Sequence, residues 1–251
     1  MAITKLQKLT IEKFRALHHV EIEFGKLITV ICGKNGTSKS SVLGIAAQIF
    51  NFEKDYTQDT PLKKYQSITG GDFKSKYSEH FRISNKFDLP GSVDVKFELF
   101  DGYTDKKETA ELEFAKRGQN PRPVVRKNSA VDPGGNTSRN FTHPVIYLSL
   151  KRLFPITDRD YKQQDFDYLQ QHQTEFIALT NELLNKTSSA ATSTSGIIKS
   201  AVSHGQNYDQ DSVSAGEDNA GQLVLAIMSF RKLQEEYPDY KGGLLLIRPL
   251  A

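Results

Sequence analysis

Apolar and polar residues alternate through the first two dozen positions. Leu9 and Ile11, then Val20, Ile22 and Phe24, recur with period two and predict a pair of half-buried strands. "KLITVIC", residues 26–32, is more continuous and predicts a buried strand with Cys32 as a small core residue. Val42, Leu43, Ala46, Ala47 and Phe50 fall at three- and four-residue spacings, which predicts a helix over 40–50. Residues 51–80 are polar and lysine-rich and show no clear period. Alternation returns at Val93, Val95, Phe97 and Leu99, and "TAELEFAKR" is expected to pair with that strand across the loop "DGYTDKKE".

"NSAVDPGGNTSRN", residues 128–140, has the composition of a turn-rich loop. "HPVIYLSL" predicts a buried central strand, and Phe166, Leu169, Phe176, Leu179 and Leu183 mark one face of a single helix of about five turns. "KTSSAATSTSG", residues 186–196, reads as a flexible linker. A loop then feeds an amphipathic helix with Leu223, Ile227 and Phe230 on one face, and "LLLI", residues 244–247, predicts a fully buried strand. Together these elements predict a mixed α/β sheet with an inserted antiparallel β-lobe and a helical lobe.

Composition narrows this picture only slightly. At 251 residues, with 37% hydrophobic and 25% charged residues, the chain is long enough for a sizeable core. Apolar runs are too short to span a bilayer, and the amino end lacks the apolar region of a secretory signal. One cysteine excludes an internal disulfide framework and suits a reducing, cytoplasmic setting. A formal charge of +3 leaves a nucleic-acid partner open without arguing for one. Lysines in "KLQKLTIEK", "PLKKY" and "FKSKY" could follow a phosphate backbone, although spaced lysines more often form a solvated face. The histidines are scattered and neither H-E-x-x-H nor C-x-x-C occurs, so no metal other than Mg²⁺ is expected. Asp158, Asp160, Asp165 and Asp167 read most simply as acidic decoration of a helix start.

The chemistry concentrates in "ICGKNGTSKSS", residues 31–41. It follows a predicted strand, opens a predicted helix and fits G-x-x-x-x-G-K-[ST], except that Ser38 stands where the last glycine belongs. In such a loop successive amides and the positive helix end form a concavity for phosphate oxygens. The candidate binding residues are Gly33, Asn35, Gly36, Thr37, Ser38, Lys39, Ser40 and Ser41, with Lys39 on the β/γ-phosphates and the Ser40 hydroxyl on Mg²⁺. If position 38 needs a positive φ, its side chain costs roughly 1 kcal/mol. The plainer reading is a polar turn capped by Ser38 or Ser40. A second stretch, Ser214-Ala215-Gly216-Glu217, precedes the last amphipathic helix; it offers amides to an anion or, more simply, forms a capping box.

With both motifs in view, the chain resembles the ABC-type ATPase heads of the RecF, Rad50 and SMC group, whose signature has the S-G-G-E form. It is also similar to small bacterial AAA_15 and AAA_13 ATPases, antiphage-defence ATPases among them. The opening "KLTIEKFRALHHVEIEFGKLITVICGKNGTSKSS", "HPVIYLSLKRLFPI" and "SAGEDNAGQLVLAIMSF" carry that likeness. It implies a P-loop NTPase fold, ATP and Mg²⁺ as ligands, and a homodimer that sandwiches nucleotide. Ser214, Ala215, Gly216 and Glu217 of one copy would then face the phosphate loop of the other, with Arg15 near the nucleotide or the lobe interface. DNA and a partner nuclease are the further partners it suggests, in repair or antiphage defence. Gln48, Gln58 and Gln66 offer no basis for assigning a Q-loop glutamine.

The resemblance places a Walker B strand at "GGLLLI" and two acids after it, where this sequence has Arg248 and Pro249. Neither residue can hold Mg²⁺ or activate water, so hydrolysis is not expected of this chain alone. The chain therefore reads as a head with the C-terminal part of its core missing: residues 1–50 as strands and phosphate loop, 51–143 as the β-rich lobe, 144–205 as helical segment and linker, 206–251 as signature helix and Walker B-like strand. Truncation, a genuine non-hydrolysing variant and completion by a second polypeptide all fit that ending. The rival functional reading is a non-catalytic nucleotide-binding interaction module that recruits a partner such as a nuclease. A P-loop kinase gives residues 214–217 no role.

Overall fold

The alternating run at the amino end forms β1 (Lys5–Phe14) and β2 (Leu17–Glu23), antiparallel, with Leu9 opposite Ile22 and Ile11 opposite Val20. They belong to a computed structural model that describes residues 2–58, 60–117, 120–127, 140–154 and 159–248. Helix α1 (Lys39–Ala46) follows and ends four residues before Phe50, sooner than its apolar spacing predicts. Two short parallel pairs of residues, β3 (Phe50–Asn51) with the later β9 (Phe141–Thr142), and a small antiparallel bridge of β4 (Lys54–Asp55) with β5 (Thr60–Pro61), lead to the four-residue helix α2 (Tyr77–His80). The loops of 51–80 are not a solvated stretch. Phe52, Leu62 and Phe73 are buried with Leu233 and Tyr237, so isolated aromatic anchors hold this segment without any period.

The predicted hairpin is present as β6 (Val93–Asp101) and β7 (Lys106–Arg117), to which β8 (Asn120–Lys127) adds a further antiparallel strand. The sheet order is β2-β1-β6-β7-β8, so the N-terminal strands and the β-lobe share one sheet across the division drawn at residue 50. Strict alternation in β6 puts Val93, Val95, Phe97 and Leu99 on one face, where they meet Ile11, Leu112, Val42 and Ile45. Phe97 and Ile45 are fully buried, each worth about 1.5–3 kcal/mol of apolar transfer. Most of the loop at 128–140 lies outside the described residues.

β10 (Val145–Leu148) and β14 (Leu244–Ile247) form the second sheet, parallel and in register from Val145–Leu244 to Leu148–Ile247. β14 is not fully buried as expected. Leu246 is buried but Ile247 is 40% exposed, because β10 is its only strand neighbour among the described residues. The run 26–32 also departs from expectation: it joins no strand ladder, Leu27, Ile28 and Val30 are 95%, 80% and 75% exposed, and Cys32 is exposed rather than in the core. Apolar continuity predicted a buried strand, but no neighbouring strand lies beside it among the described residues.

The helix expected over 166–183 is broken. α3 (Asp167–Gln171) and α4 (Gln173–Leu184) meet at His172, whose φ of −115° and ψ of 25° leave the helical range, and its ring stacks on Tyr168 at 4.0 Å. Leu183 is half exposed. The predicted linker is also a strand. β12 (Ala190–Gly196) pairs with β11 (Tyr161–Gln163) and β13 (Ser200–His204), and its polar residues are used, with Ser193 Oγ donating to Gln164 O at 2.6 Å. Of the acidic cluster, Asp167 sits in the first turn of α3 as expected, whereas Asp158 lies outside the described residues.

α5 (Ala215–Glu236) closes the fold and is buried over more of its circumference than an amphipathic stripe allows. Val224, Leu225 and Met228 face the second core beside Phe166 and Phe176, whereas Ile227, expected on the buried face, is 49% exposed. No helix among the described residues is long and apolar enough to cross a membrane.

Two buried histidines make the fold acid-sensitive. His143 is held neutral by burial, its pKa pushed down to about 3; burial and then the charge of Arg248 push His80 down to about 4. The unfolded chain protonates both near the ordinary 6.5 and so binds more protons than the folded one below that pH. Stability should therefore be full above about pH 6.5 and fall steadily toward pH 4. Urea unfolding at pH 7, 6 and 5 reads this directly, and His143→Gln should reduce the slope.

Candidate functional site

The loop between residue 32 and α1 has no strand pairing, so its shape is set by its own hydrogen bonds. Thr37 Oγ1 donates to Lys34 O at 2.7 Å, and Ser41 N and Val42 N both reach Ser38 O as the helix begins. Gly36 has a φ of 82°, a conformation glycine enters freely. Ser38 has φ 62° and ψ 21°, the left-handed backbone that the glycine of the loop pattern would take. The side chain expected to strain this position therefore does so, by roughly 1 kcal/mol. Ser38 makes no side-chain cap, so the plain reading of a serine-capped turn is not what holds the helix start.

Lys39 folds back over the loop, its Nζ donating to Gly33 O at 2.6 Å and Lys34 O at 2.8 Å. The amides of Asn35, Gly36, Ser38, Lys39 and Ser40 have no acceptor among the described residues. These free donors and the Lys39 cation lie in the segment that opens into the amino end of an eight-residue helix. That donor set fits the polyphosphate of ATP. It fits Mg²⁺ less fully: Ser40 supplies one hydroxyl, and no cluster of His, Cys, Asp or Glu able to hold a metal occurs among the described residues.

Arg15, at the β1–β2 turn with φ 53°, does not bond to the loop. Its guanidinium reaches Asp88 Oδ2 at 2.8 Å and Arg82 O at 2.6 Å and lies over the rings of Phe14 and Phe81. It fastens the 82–88 segment to the first sheet.

At the other motif Ser214 and Glu217 form a capping box, with Ser214 N donating to Glu217 Oε2 at 2.8 Å and Glu217 N to Ser214 Oγ at 3.3 Å. Glu217 also takes Lys186 Nζ at 2.6 Å. Partial burial disfavours its charged form, but the Lys186 and Ser214 bonds outweigh that and hold its pKa below the usual carboxylate range. With the two motif ends engaged in capping, Ala215 and Gly216 remain to present first-turn amides. Ala215 and Gly216 are exposed, and a Cβ built at Gly216 meets nothing nearer than Ser214 Oγ at 3.8 Å.

No hydrogen bond or ion pair joins residues 33–41 to residues 214–217 among the described residues. α1 rests on the first core and α5 on the second and third. Two features of this region escaped sequence reasoning. Arg152 and Asp218 are 5% and 2% exposed and carry a polar network behind the α5 amino end. Asp218, four residues after the N-cap and followed by Asn219 and Gln222 on one side of the helix, was the available signal.

Comparison with curated proteins finds no match. The AAA_15 family, described as the AAA ATPase domain, matches residues 5–212, a span that includes the phosphate loop and ends before Ser214. The mixed α/β sheets and helices agree with a P-loop ATPase domain, which implies nucleotide binding, and the chain belongs to the AAA ATPase domain family.

Proposed function

We propose that this chain is an ABC-type, RecF/Rad50/SMC-like ATP-binding head that dimerises around ATP in a cytoplasmic DNA-repair or antiphage role. The observation that carries the nucleotide part is the loop at 33–41, with unpaired amides, a left-handed residue 38 and Lys39 folded back onto the Gly33 and Lys34 carbonyls. In the ground state Lys39 neutralises β/γ-phosphate charge while the α1 amino end donates to the phosphate oxygens. Bound Mg²⁺, held by Ser40 and by the phosphates themselves, would screen the remaining charge.

A sandwich of two copies is favoured because the two motifs do not meet within one chain and Ala215 and Gly216 are exposed. A DNA contact rests on the family resemblance. The outer face of the first sheet offers it little, since its charges alternate and pair, as Lys8 does with Glu21 and Arg126 with Glu113.

A second reading has its own observation. β14 is followed by Arg248, whose charge lies near enough to His80 to depress that histidine, where water-activating acids would stand in a hydrolysing head. ATP would then be bound as a signal, without turnover, to recruit a partner such as a nuclease. Both readings predict the same assembly, which sedimentation tests. ATP should convert the wild-type chain to a dimer. Gly216→Asp places a carboxylate before the γ-phosphate at a position with room for it, and should weaken ATP-dependent dimerisation by ~30-fold, about 2 kcal/mol, with ATP binding retained. A Gly216→Asp chain that dimerises as readily as wild type would remove residues 214–217 from the interface.

A further inference from the structure

Behind the open amides of α5 runs a buried polar chain. Asp218 Oδ2 accepts from Arg159 Nη2 at 2.6 Å and from Gln222 Nε2 at 2.8 Å, and its Oδ1 accepts from Ser200 Oγ at 2.7 Å. Gln222 Nε2 also donates to Arg152 O at 3.1 Å. Arg152 then spends its whole guanidinium on three elements. Nε donates to Asn219 Oδ1 at 2.7 Å, Nη1 to Leu148 O and Ser149 O at 3.2 and 3.0 Å, and Nη2 to Arg248 O at 2.7 Å. Leu148 ends β10 and Arg248 directly follows β14, where Arg248 N also donates to Leu148 O.

Among the described residues no carboxylate pairs with this buried cation; every acceptor is a carbonyl or an amide oxygen. Burying a charge against neutral partners alone is costly, and an apolar residue would fill the same space without that penalty. What the guanidinium provides is geometry: a planar fork that fixes two strand ends and one helix at once. We propose that Arg152 is a positioning residue coupling the amino-terminal turn of α5 to the end of β14, so that phosphate contact at residues 214–217 is passed to the backbone at Arg248. This rests on the nucleotide reading above. A displacement of the first turn of α5 moves Asn219 and Gln222, both bonded to Arg152, and the same guanidinium holds the carbonyl of the residue that follows the strand.

Hydrogen exchange on the whole chain, with and without Mg·ATP, tests it. In wild type, ATP should slow exchange at 33–42, at 214–220 and at 245–248. Asn219→Ala combined with Gln222→Leu cuts α5 loose from Arg152 and should keep the first two effects while reducing the third at least ~10-fold. Arg152→Lys, which keeps the charge but not the fork, should do the same if the double variant folds poorly. A merely structural role would raise exchange at 245–248 equally with and without ATP. ATP-dependent slowing at 245–248 that survives in these variants overturns the coupling. So does its absence in wild type when 33–42 responds. Loss of the response at 33–42 in wild type would overturn the nucleotide reading instead, and the coupling with it.

Discussion

Lys39→Ala should weaken ATP binding at least ~100-fold, the equivalent of about 2.7 kcal/mol, while the chain stays folded. The Lys39 ammonium bends back over the loop and is its only cation with a hydrogen bond among the described residues. A charge-assisted bond to phosphate contributes about 1.5–3 kcal/mol, and neutralisation of the polyphosphate adds to that. Stability should change little. The two bonds to Gly33 O and Lys34 O are solvent-exposed, and alanine is at least as good a residue as lysine for the first turn of α1. Equal affinities in the two proteins, measured by titration with a fluorescent ATP analogue, would place nucleotide elsewhere.

Gly221→Ala should be the most damaging single methyl addition to the fold. α5 crosses β13 so closely that a Cβ at position 221 would lie 1.8 Å from Ala201 O and 3.0 Å from its carbon. Neither atom is the movable end of a side chain; both are strand backbone, so the helix must lift from the sheet. That separation opens the contacts of Val224 and Leu225 with Ala201 in the second core. Overpacking of this kind costs about 3 kcal/mol, which for a chain of this size lowers Tm by roughly 6–12 °C. Alanine's better helix propensity, worth about 1 kcal/mol, does not offset it. A Tm within a degree or two of wild type would mean that α5 and β13 are less tightly apposed.

Where side-chain chemistry and backbone period agreed, the fold was legible. β1, β2, β6 and β7 alternate because one face is buried, and Val42 and Ala46 mark α1 by the same logic. β12 was hidden because its serines and threonines are satisfied by hydrogen bonds such as Ser193 to Gln164 and Thr192 to His204, so burial left no apolar trace. β8 was hidden by Pro121 and Pro123, which a strand tolerates here because β8 is the sheet edge. The run 26–32 misled in the opposite direction: its apolar residues predict a core position, and Leu27, Ile28 and Val30 face solvent instead. A ladder depends on neighbours far away in the chain, which local pattern does not report.

At the site the balance was similar. The loop pattern and the strained conformation of Ser38 were legible from spacing, as was the Ser214–Glu217 capping box. Arg152 was not, since a lysine-arginine pair after a strand reads as surface. Its burial follows from Asn219 and Gln222, which lie nearly seventy residues further along and face it only once α5 has docked.

The most direct test of the central claim is an equilibrium titration of the wild-type chain with a fluorescent ATP analogue and Mg²⁺, followed by phosphate release on the same sample. Saturable binding displaced by ATP, with release no faster than in buffer, is the predicted result: a formed phosphate loop in a chain whose β14 is followed by Arg248 rather than by an acid. A chain that unfolds cooperatively yet binds no nucleotide would contradict the account at its base.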